Sequence, residues 1–402
     1  MVHLPVQKKL HAKPLRKVDG AGYYVRNRIK LIKGGSDYFD LLERLINEAK
    51  SSIYLQTYIF DSDTTGRRIA RALLNAAARN VRVAILIDGY ASQSLPFWLT
   101  ESFREAGIQF NWFYPFWKTK KFYFGRRLHH KVVVVDKGMV LVGGLNISDR
   151  YNDTDTRPAW LDWAVYAEGD VAAAVQRICQ RRSKITLQNK VIPPSDYIVL
   201  DEKETAPCKL RVRINDWVNR KMQITESYLE MFRKAKSHII IASPYFMPGN
   251  KFRKKILEAV SRGVRVSIIL GSKSDVAIAR YAEQYLYPWL LRNKIEIYEY
   301  QKNVLHGKMA TYDGKWVTNG SYNINNISAY ASVELNLDVY NRNFAQEVEN
   351  ELKRTMMEDC EQITLDNYRK RASLYQRFLQ RSAYDIIRVL FFIFTFYFRQ
   401  RD

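Results

Sequence analysis

This sequence is short of cysteine, of histidine, of acidic residues and of long apolar runs. It has three cysteines in 402 residues, Cys179, Cys208 and Cys360. They are odd in number and fit no metal or redox spacing, so they read as free thiols of a reducing compartment. Of the six histidines, none belongs to a His-Glu-x-x-His pair, and no aspartate cluster suits magnesium. A phosphate-cradling glycine loop and a G-x-S-x-G nucleophile turn are also absent. No metal and no cofactor is therefore expected. The opening MVHLPVQKKLHAKPLRKVDG (1–20) has no apolar core of signal-peptide length. No stretch approaches the roughly 18 apolar residues of a spanning helix.

What is abundant is positive charge. Lys+Arg number 64 against 41 Asp+Glu, a formal net charge of +23. Such an excess points to a polyanionic partner, either an anionic membrane or nucleic acid. The apolar share of 47% is that of a folded protein, and the length suggests two or three domains.

The chain states its pattern twice. ERLINEAKSSIYLQTYIF (43–60) is answered by LEMFRKAKSHIIIASPYFMP (229–248), and IARALLNAAARNVRVAILIDG (69–89) by FRKKILEAVSRGVRVSIILGS (252–272). Each phrase is an amphipathic helix followed by a buried strand. Strands alternating with helices imply parallel crossovers and a sheet covered on both faces. A period of about 180 residues is too long for a solenoid, so one α/β domain is duplicated. The seam is VIPPSDYIVLDEKETAP (191–207), rich in proline and acid. The expected division is a basic segment 1–24, a first domain 25–191, a linker 192–210, a second domain 211–362 and a basic, apolar tail 363–402.

Each half also carries a polar motif: RLHHKVVVVDKGMVLVGGLN (127–146) and LHGKMATYDGKWVTNGSYN (305–323). His129 matches His306, Lys131 matches Lys308, Asp136 matches Asp313, Gly143 matches Gly320 and Asn146 matches Asn323. His130 falls opposite Gly307, which cannot replace a catalytic imidazole. Strand geometry agrees, since His129 and Lys131 share one face and His130 the other. The aspartates begin hairpin turns. A turn midway between His and Asn would set His129 across from Asn146 and His306 across from Asn323. Two such His-Lys-Asn patches suit a phosphoryl centre. Lysines and asparagines would hold the phosphate oxygens. One imidazole would attack phosphorus and the other would protonate the departing oxygen. Asp162 in AWLDWAV and Glu334 in YASVELNLD follow the motifs and are candidates to orient the histidines.

The doubled pattern H-x-K-x4-D-x6-G-[GS]-x-N resembles the phospholipase D superfamily over about residues 25 to 360. The mixed endings Gly-Gly-Leu-Asn and Gly-Ser-Tyr-Asn, with LQTYIF and LIDGY (86–90), are similar to bacterial cardiolipin synthases. The resemblance implies two phospholipase D-like domains, each a mixed, mostly parallel sheet flanked by helices. A pseudo-twofold axis would relate them, with the active site at their interface. It implies a metal-free reaction through phosphohistidine, with His129, Lys131, Asp136, His306, Lys308 and Asp313 catalytic. His129 would be the nucleophile and His306 the general acid, or the reverse. The implied activity is phosphatidyl transfer between phospholipids, phosphatidylglycerol being the simplest substrate. Hydrolysis by water and a nuclease activity are the alternatives.

Two segments favour lipid over nucleic acid. FNWFYPFWKTKKFYFGRR (110–127) alternates aromatic and basic residues, as an interfacial loop does. The tail RFLQRSAYDIIRVLFFIFTFYFRQRD (377–402) carries an apolar run, 389–398, bracketed by arginines. That run is too short to span a bilayer and long enough to embed at its headgroup boundary, or it packs on the protein. The expectation is a peripheral protein on the cytoplasmic face of the cell membrane.

Overall fold

The computed structural model describes residues 17–18, 22–114, 126–187 and 208–399. The first half runs β1 (Lys17–Val18), β2 (Tyr23–Lys33), α1 (Ser36–Glu48), β3 (Ser52–Thr57), α2 (Thr64–Ala78), β4 (Arg82–Asp88), α3 (Phe97–Glu105), β5 (Gln109–Phe113), β6 (Arg127–Leu128), β7 (Val132–Val135), β8 (Met139–Gly143), β9 (Trp163–Gly169) and α4 (Asp170–Ser183). The second runs β10 (Cys208–Asp216), β11 (Lys221–Met222), α5 (Gln223–Lys234), β12 (His238–Ala242), α6 (Asn250–Ser261), β13 (Arg265–Lys273), α7 (Ala277–Gln284), α8 (Tyr287–Arg292), β14 (Glu296–Val304), β15 (Met309–Tyr312), β16 (Trp316–Gly320), α9 (Asn326–Tyr330), β17 (Ser332–Tyr340), α10 (Arg342–Asp359) and β18 (Cys360–Ile363). Two helices, α11 (Leu365–Arg371) and α12 (Leu374–Arg399), follow.

The elements form where apolar spacing demands. Helix α1 buries Tyr38, Leu42 and Leu45 on one stripe, and α2 is capped by the Asp63 carboxylate, which accepts from Gly66 N. Strands β3 and β7 are buried throughout, as continuous apolar runs require between two helical layers.

One mixed sheet joins the halves. Its order is β5-β4-β3-β7-β8-β9-β2 and then β10-β17-β16-β15-β12-β13-β14-β18. Apart from the added β18, the second series repeats the first in reverse, the strand order of a pseudo-twofold axis between β2 and β10. The parallel crossovers supply β3–β4–β5 and β12–β13–β14. The motif hairpins β7–β8 and β15–β16 are antiparallel because tight turns join them, and the central strands β9, β2, β10 and β17 also pair antiparallel although distant segments of the chain supply them.

The fold bears on three segments singled out in the sequence, and for the tail it matches the alternative of packing on the protein. Of the supposed interfacial loop, Phe110 and Phe113 are core residues on β5, and 115–125 lie outside the described residues. The expected linker lies outside them as far as 207, while 208–210 already belong to β10. The tail does not hang free. Helix α12 lies along α7, burying Ala383 and Ile387 in the core of the second half, and Gln380 Oε1 accepts from Tyr368 Oη at 2.7 Å. Among the described residues no helix is long and apolar enough to cross a membrane. The three cysteines are free thiols.

Asp136 and Asp313 are structural. Both sit at the turn end of their hairpins with positive φ, a strand's length from the histidines. The Asp136 carboxylate accepts from Lys50, Ser51 and Ser52 backbone N–H groups at 2.7–2.8 Å. Asp313 does the same for Lys236, Ser237 and His238. Each tethers its hairpin to the strand start of the matching Ala-Lys-Ser segment, which corrects their assignment as catalytic. Asp136→Ala should therefore lower stability by about 3 kcal/mol while turnover per folded molecule changes little. Denaturant melts paired with active-site titration check this.

Candidate active site

The motif histidines stand where the halves meet. His129 and Lys131 precede β7 at the C-terminal edge of the parallel strands. Leu128 N donates to Asp88 Oδ2 at 2.8 Å, and His129 N donates to Val333 O at 2.9 Å. The second half repeats the arrangement: His306 N donates to Leu161 O at 2.8 Å. Leu128 pairs in parallel with Val333, and Leu305 with Leu161. Each histidine segment is thus stitched to the strand of the other half that carries an acid.

That stitching crosses the acids over. His129 Nδ1 lies 2.9 Å from Glu334 Oε2 and 3.0 Å from Ser321 O. His306 Nδ1 lies 2.7 Å from Asp162 Oδ2. Both partners of His129 Nδ1 are acceptors, so Nδ1 carries the proton and Nε2 keeps its lone pair. Glu334 is fully buried and also accepts from the Ser321 hydroxyl. Asp162, equally buried, accepts from Trp163 N at 2.7 Å.

The repeats differ where these acids demand it. At Gly144, the counterpart of Ser321, a Cβ would stand 2.4 Å from the Asp162 carboxylate. The second half has the longer Glu334 and room for a serine that holds it. At Gly307 a Cβ would stand 2.4 Å from the Trp163 ring. His130 occupies the matching place in the first half as a core residue, its Nδ1 2.9 Å from Gln56 Oε1. It does not face the site.

Two buried lysines supply the charge. Lys131 Nζ donates to His129 O at 2.9 Å and lies 5.1 Å from the centre of the Tyr58 ring. Lys308 Nζ lies 3.0 Å from His306 Nδ1 and donates to His306 O. Among the described residues neither is ion-paired. Burial pushes Lys131 well down and Lys308 to about 8. Burial also lowers both histidines. Lys131 and Lys308 repel both imidazoles, and His306 moves further because the Glu334 carboxylate beside His129 offsets that repulsion there. Burial raises Asp162 to about 6 against the pull of Lys308. Burial disfavours the charged form of both lysines and both imidazoles, and an anion held between them would favour it again.

The asparagines are not equivalent. The hairpin register Val132↔Val142, continued outward, sets His129 across from Leu145 rather than Asn146. The turn Asp136–Gly138 centres the hairpin on Lys137, half a residue earlier than expected, which moves the partner of His129 by one residue. Asn146 Oδ1 accepts from Ile59 N at 3.1 Å, and its Nδ2 donates to Tyr151 Oη at 2.8 Å. Asn323 keeps a buried Oδ1 without a partner. Sequence reasoning missed the aromatic walls: Tyr58 stands edge-on to His129, and Tyr151 to His306, both at 4.9 Å. It also missed Asp88 as the anchor of the His129 segment. For Tyr58 and Asp88 the only signal was their place at strand ends, and Tyr151, on the short helical turn Asp149–Tyr151, carried none.

A family profile described as cardiolipin synthase, PLD-like domain matches twice, over residues 42–160 and 228–356, so each match contains one motif. Cardiolipin synthase B of Escherichia coli strain K12 is 30% identical over 351 residues, 84% of this chain and 82% of its own. Cardiolipin synthase A of Pseudomonas putida is 29% identical over 357 residues, 87% of this chain and 72% of its own. The crystal structure of phosphatidylserine synthase from Haemophilus influenzae Rd KW20 superposes with a TM-score of 0.69 at 14% identity, over 90% of this chain and 93% of that one. That last likeness is one of fold.

Proposed function

Because this chain belongs to the phospholipase D-like family of the cardiolipin synthases, we propose that it is a phosphatidyltransferase that makes cardiolipin from phosphatidylglycerol. The observation that carries the reading is the crossed pair of histidine–carboxylate contacts around two buried lysines. It is an anion site with one imidazole from each half.

In this reading the lysines hold the phosphodiester. His129 Nε2 attacks phosphorus, the bond from phosphorus to the headgroup glycerol oxygen breaks, and His306 gives that oxygen its proton. A hydroxyl of a second phosphatidylglycerol then returns a proton to His306 and attacks phosphorus, and the phosphorus–nitrogen bond breaks. Burial keeps His129 neutral, which suits a nucleophile. His306 must gain a proton in a site that disfavours it. An anionic phosphate between the lysines offsets their repulsion, so the proton is best held when substrate is bound. The protein would work as a peripheral enzyme on the cytoplasmic face of the membrane.

Asp162 makes the reading pH-sensitive. Its carboxyl titrates at about 6 instead of 3.8. As pH falls below about 6 it takes a proton and stops accepting from His306 Nδ1, so kcat/KM falls. Folding stability moves the other way. A raised carboxyl pKa favours the fold most below the unfolded value, 3.8, and that contribution is lost as pH rises to about 6. A pH–rate profile without an acid limb near 6 would contradict this.

The test of function is mass spectrometry of lipids after incubating the pure protein with phosphatidylglycerol vesicles. Cardiolipin and free glycerol are expected. Phosphatidic acid alone would make it a hydrolase, and DNA cleavage with no lipid product would make it a nuclease.

A further inference from the structure

The pseudo-twofold relates the segment after β4 to the segment after β13, both at the C-terminal ends of parallel strands, where the histidines stand. Both segments expose large apolar side chains. After β4, Tyr90 is 49% exposed, Phe97 75% and Trp98 57%, although α3 buries Leu99 and Phe103 on its other side. After β13, α7 buries Ala279 and Ala282 and exposes Ile278 and Tyr281. Tyr285, just past its end, continues the stripe at helical spacing and stays partly exposed while its ring stacks on Tyr384 of α12. Single exposed apolar residues mean little, but these are two groups on pseudo-twofold-equivalent segments at the strand ends that carry the site.

Both groups are tied to the catalytic residues. The Arg127 guanidinium lies 5.5 Å from the centre of the Tyr90 ring and 3.6 Å from Asp88, two residues before His129. Asp275, just ahead of α7, accepts from Tyr245 Oη, and its charge reaches His306.

We propose that these two stripes are a docking rim for an anionic phospholipid bilayer, which set the mouth between His129 and His306 against the headgroup layer. The inference rests on the phosphatidyltransferase reading and adds how that site meets its substrate. Tyrosine and tryptophan favour the membrane–water boundary, and the net charge of +23 complements an anionic surface. A second copy of the chain seated on both stripes would cover the mouth between them, so a bilayer is the occupant that leaves the site usable. Helix α12, packed on α7, exposes Phe378 and Ile386 and extends the same apolar character beyond the rim.

The experiment uses the full chain and two double variants, Phe97→Ser with Trp98→Ser, and Ile278→Ser with Tyr281→Ser. Binding is measured by co-sedimentation with phosphatidylglycerol–phosphatidylcholine vesicles. Turnover is measured on the same vesicles and on short-chain phosphatidylglycerol below its micellar concentration. Each double variant should bind vesicles at least about tenfold more weakly, and its ratio of vesicle to monomer turnover should fall in proportion. Brominated lipids should quench fluorescence of the parent more than that of Trp98→Phe. Unchanged vesicle binding with no Trp98 quenching would overturn the rim, as would an equal loss on monomeric substrate. Variants that only convert a dimer to a monomer would assign the stripes to a second copy and also overturn it. A parent inactive on both lipid forms would sink the transferase reading, while binding and quenching still decide the rim.

Discussion

Replacing His129 by asparagine should lower lipid turnover by about 10⁴-fold or more, and replacing His306 should do the same. The losses should not add in the double variant, because the two imidazoles serve one reaction. Among the described residues each is the only imidazole its half presents to the site, and each sits beside a buried lysine. His130 is the control. It is fully buried on the other face of the strand and contacts Gln56. His130→Ala should cost stability through the space it leaves, with turnover per folded molecule within about threefold of the parent. Equal inactivity of folded His130→Ala and His129→Asn would reverse the assignment.

The second large effect is expected at the crossed acids. Glu334→Gln and Asp162→Asn should each reduce turnover by about 10²–10⁴-fold with the fold kept. Each swap is nearly isosteric, so packing is preserved. An amide can turn its NH₂ toward Nδ1 and impose the wrong tautomer. For His129 that would put the proton on Nε2, the atom that has to attack. The Glu334 variant faces an added constraint, since Ser321 already donates to that oxygen. The crossing also makes the halves interdependent, because each supplies the imidazole that the other orients. A turnover loss in Glu334→Gln no larger than in a surface variant would remove this acid from the mechanism.

Much of this was legible in the chain. The repeat is physical, since a duplicated fold must bury equivalent positions, and two copies of His, Lys, Asp, Gly and Asn at equal spacing cannot be separate accidents. Alternation along a strand was enough to separate His129 from His130. Other features were not readable along the chain. Asp136 is as regularly spaced as His129, and spacing cannot show that four buried valines carry it to the far end of the strand. Asp162 and Glu334 stood out as acids, but which histidine each serves depends on how the two halves meet in space. Aromatic–basic character suggested an interfacial loop at 110–127, yet Phe110 and Phe113 are consumed by the core. The apolar tail begins as a helix packed on α7, because a stripe that binds protein and one that binds lipid have the same composition.

The central claim is that His129 forms a covalent bond to phosphorus. It is tested most directly by supplying labelled phosphatidylglycerol to enzyme whose second step is slowed, quenching in base, and locating the adduct by peptide mass spectrometry. The account predicts a base-stable, acid-labile phosphatidyl group on His129, none in His129→Asn, and accumulation in a His306 variant given a donor with a good leaving group. An adduct on His306 would exchange the two roles. Turnover with no adduct on either histidine, under conditions where the second step is limiting, would contradict the account.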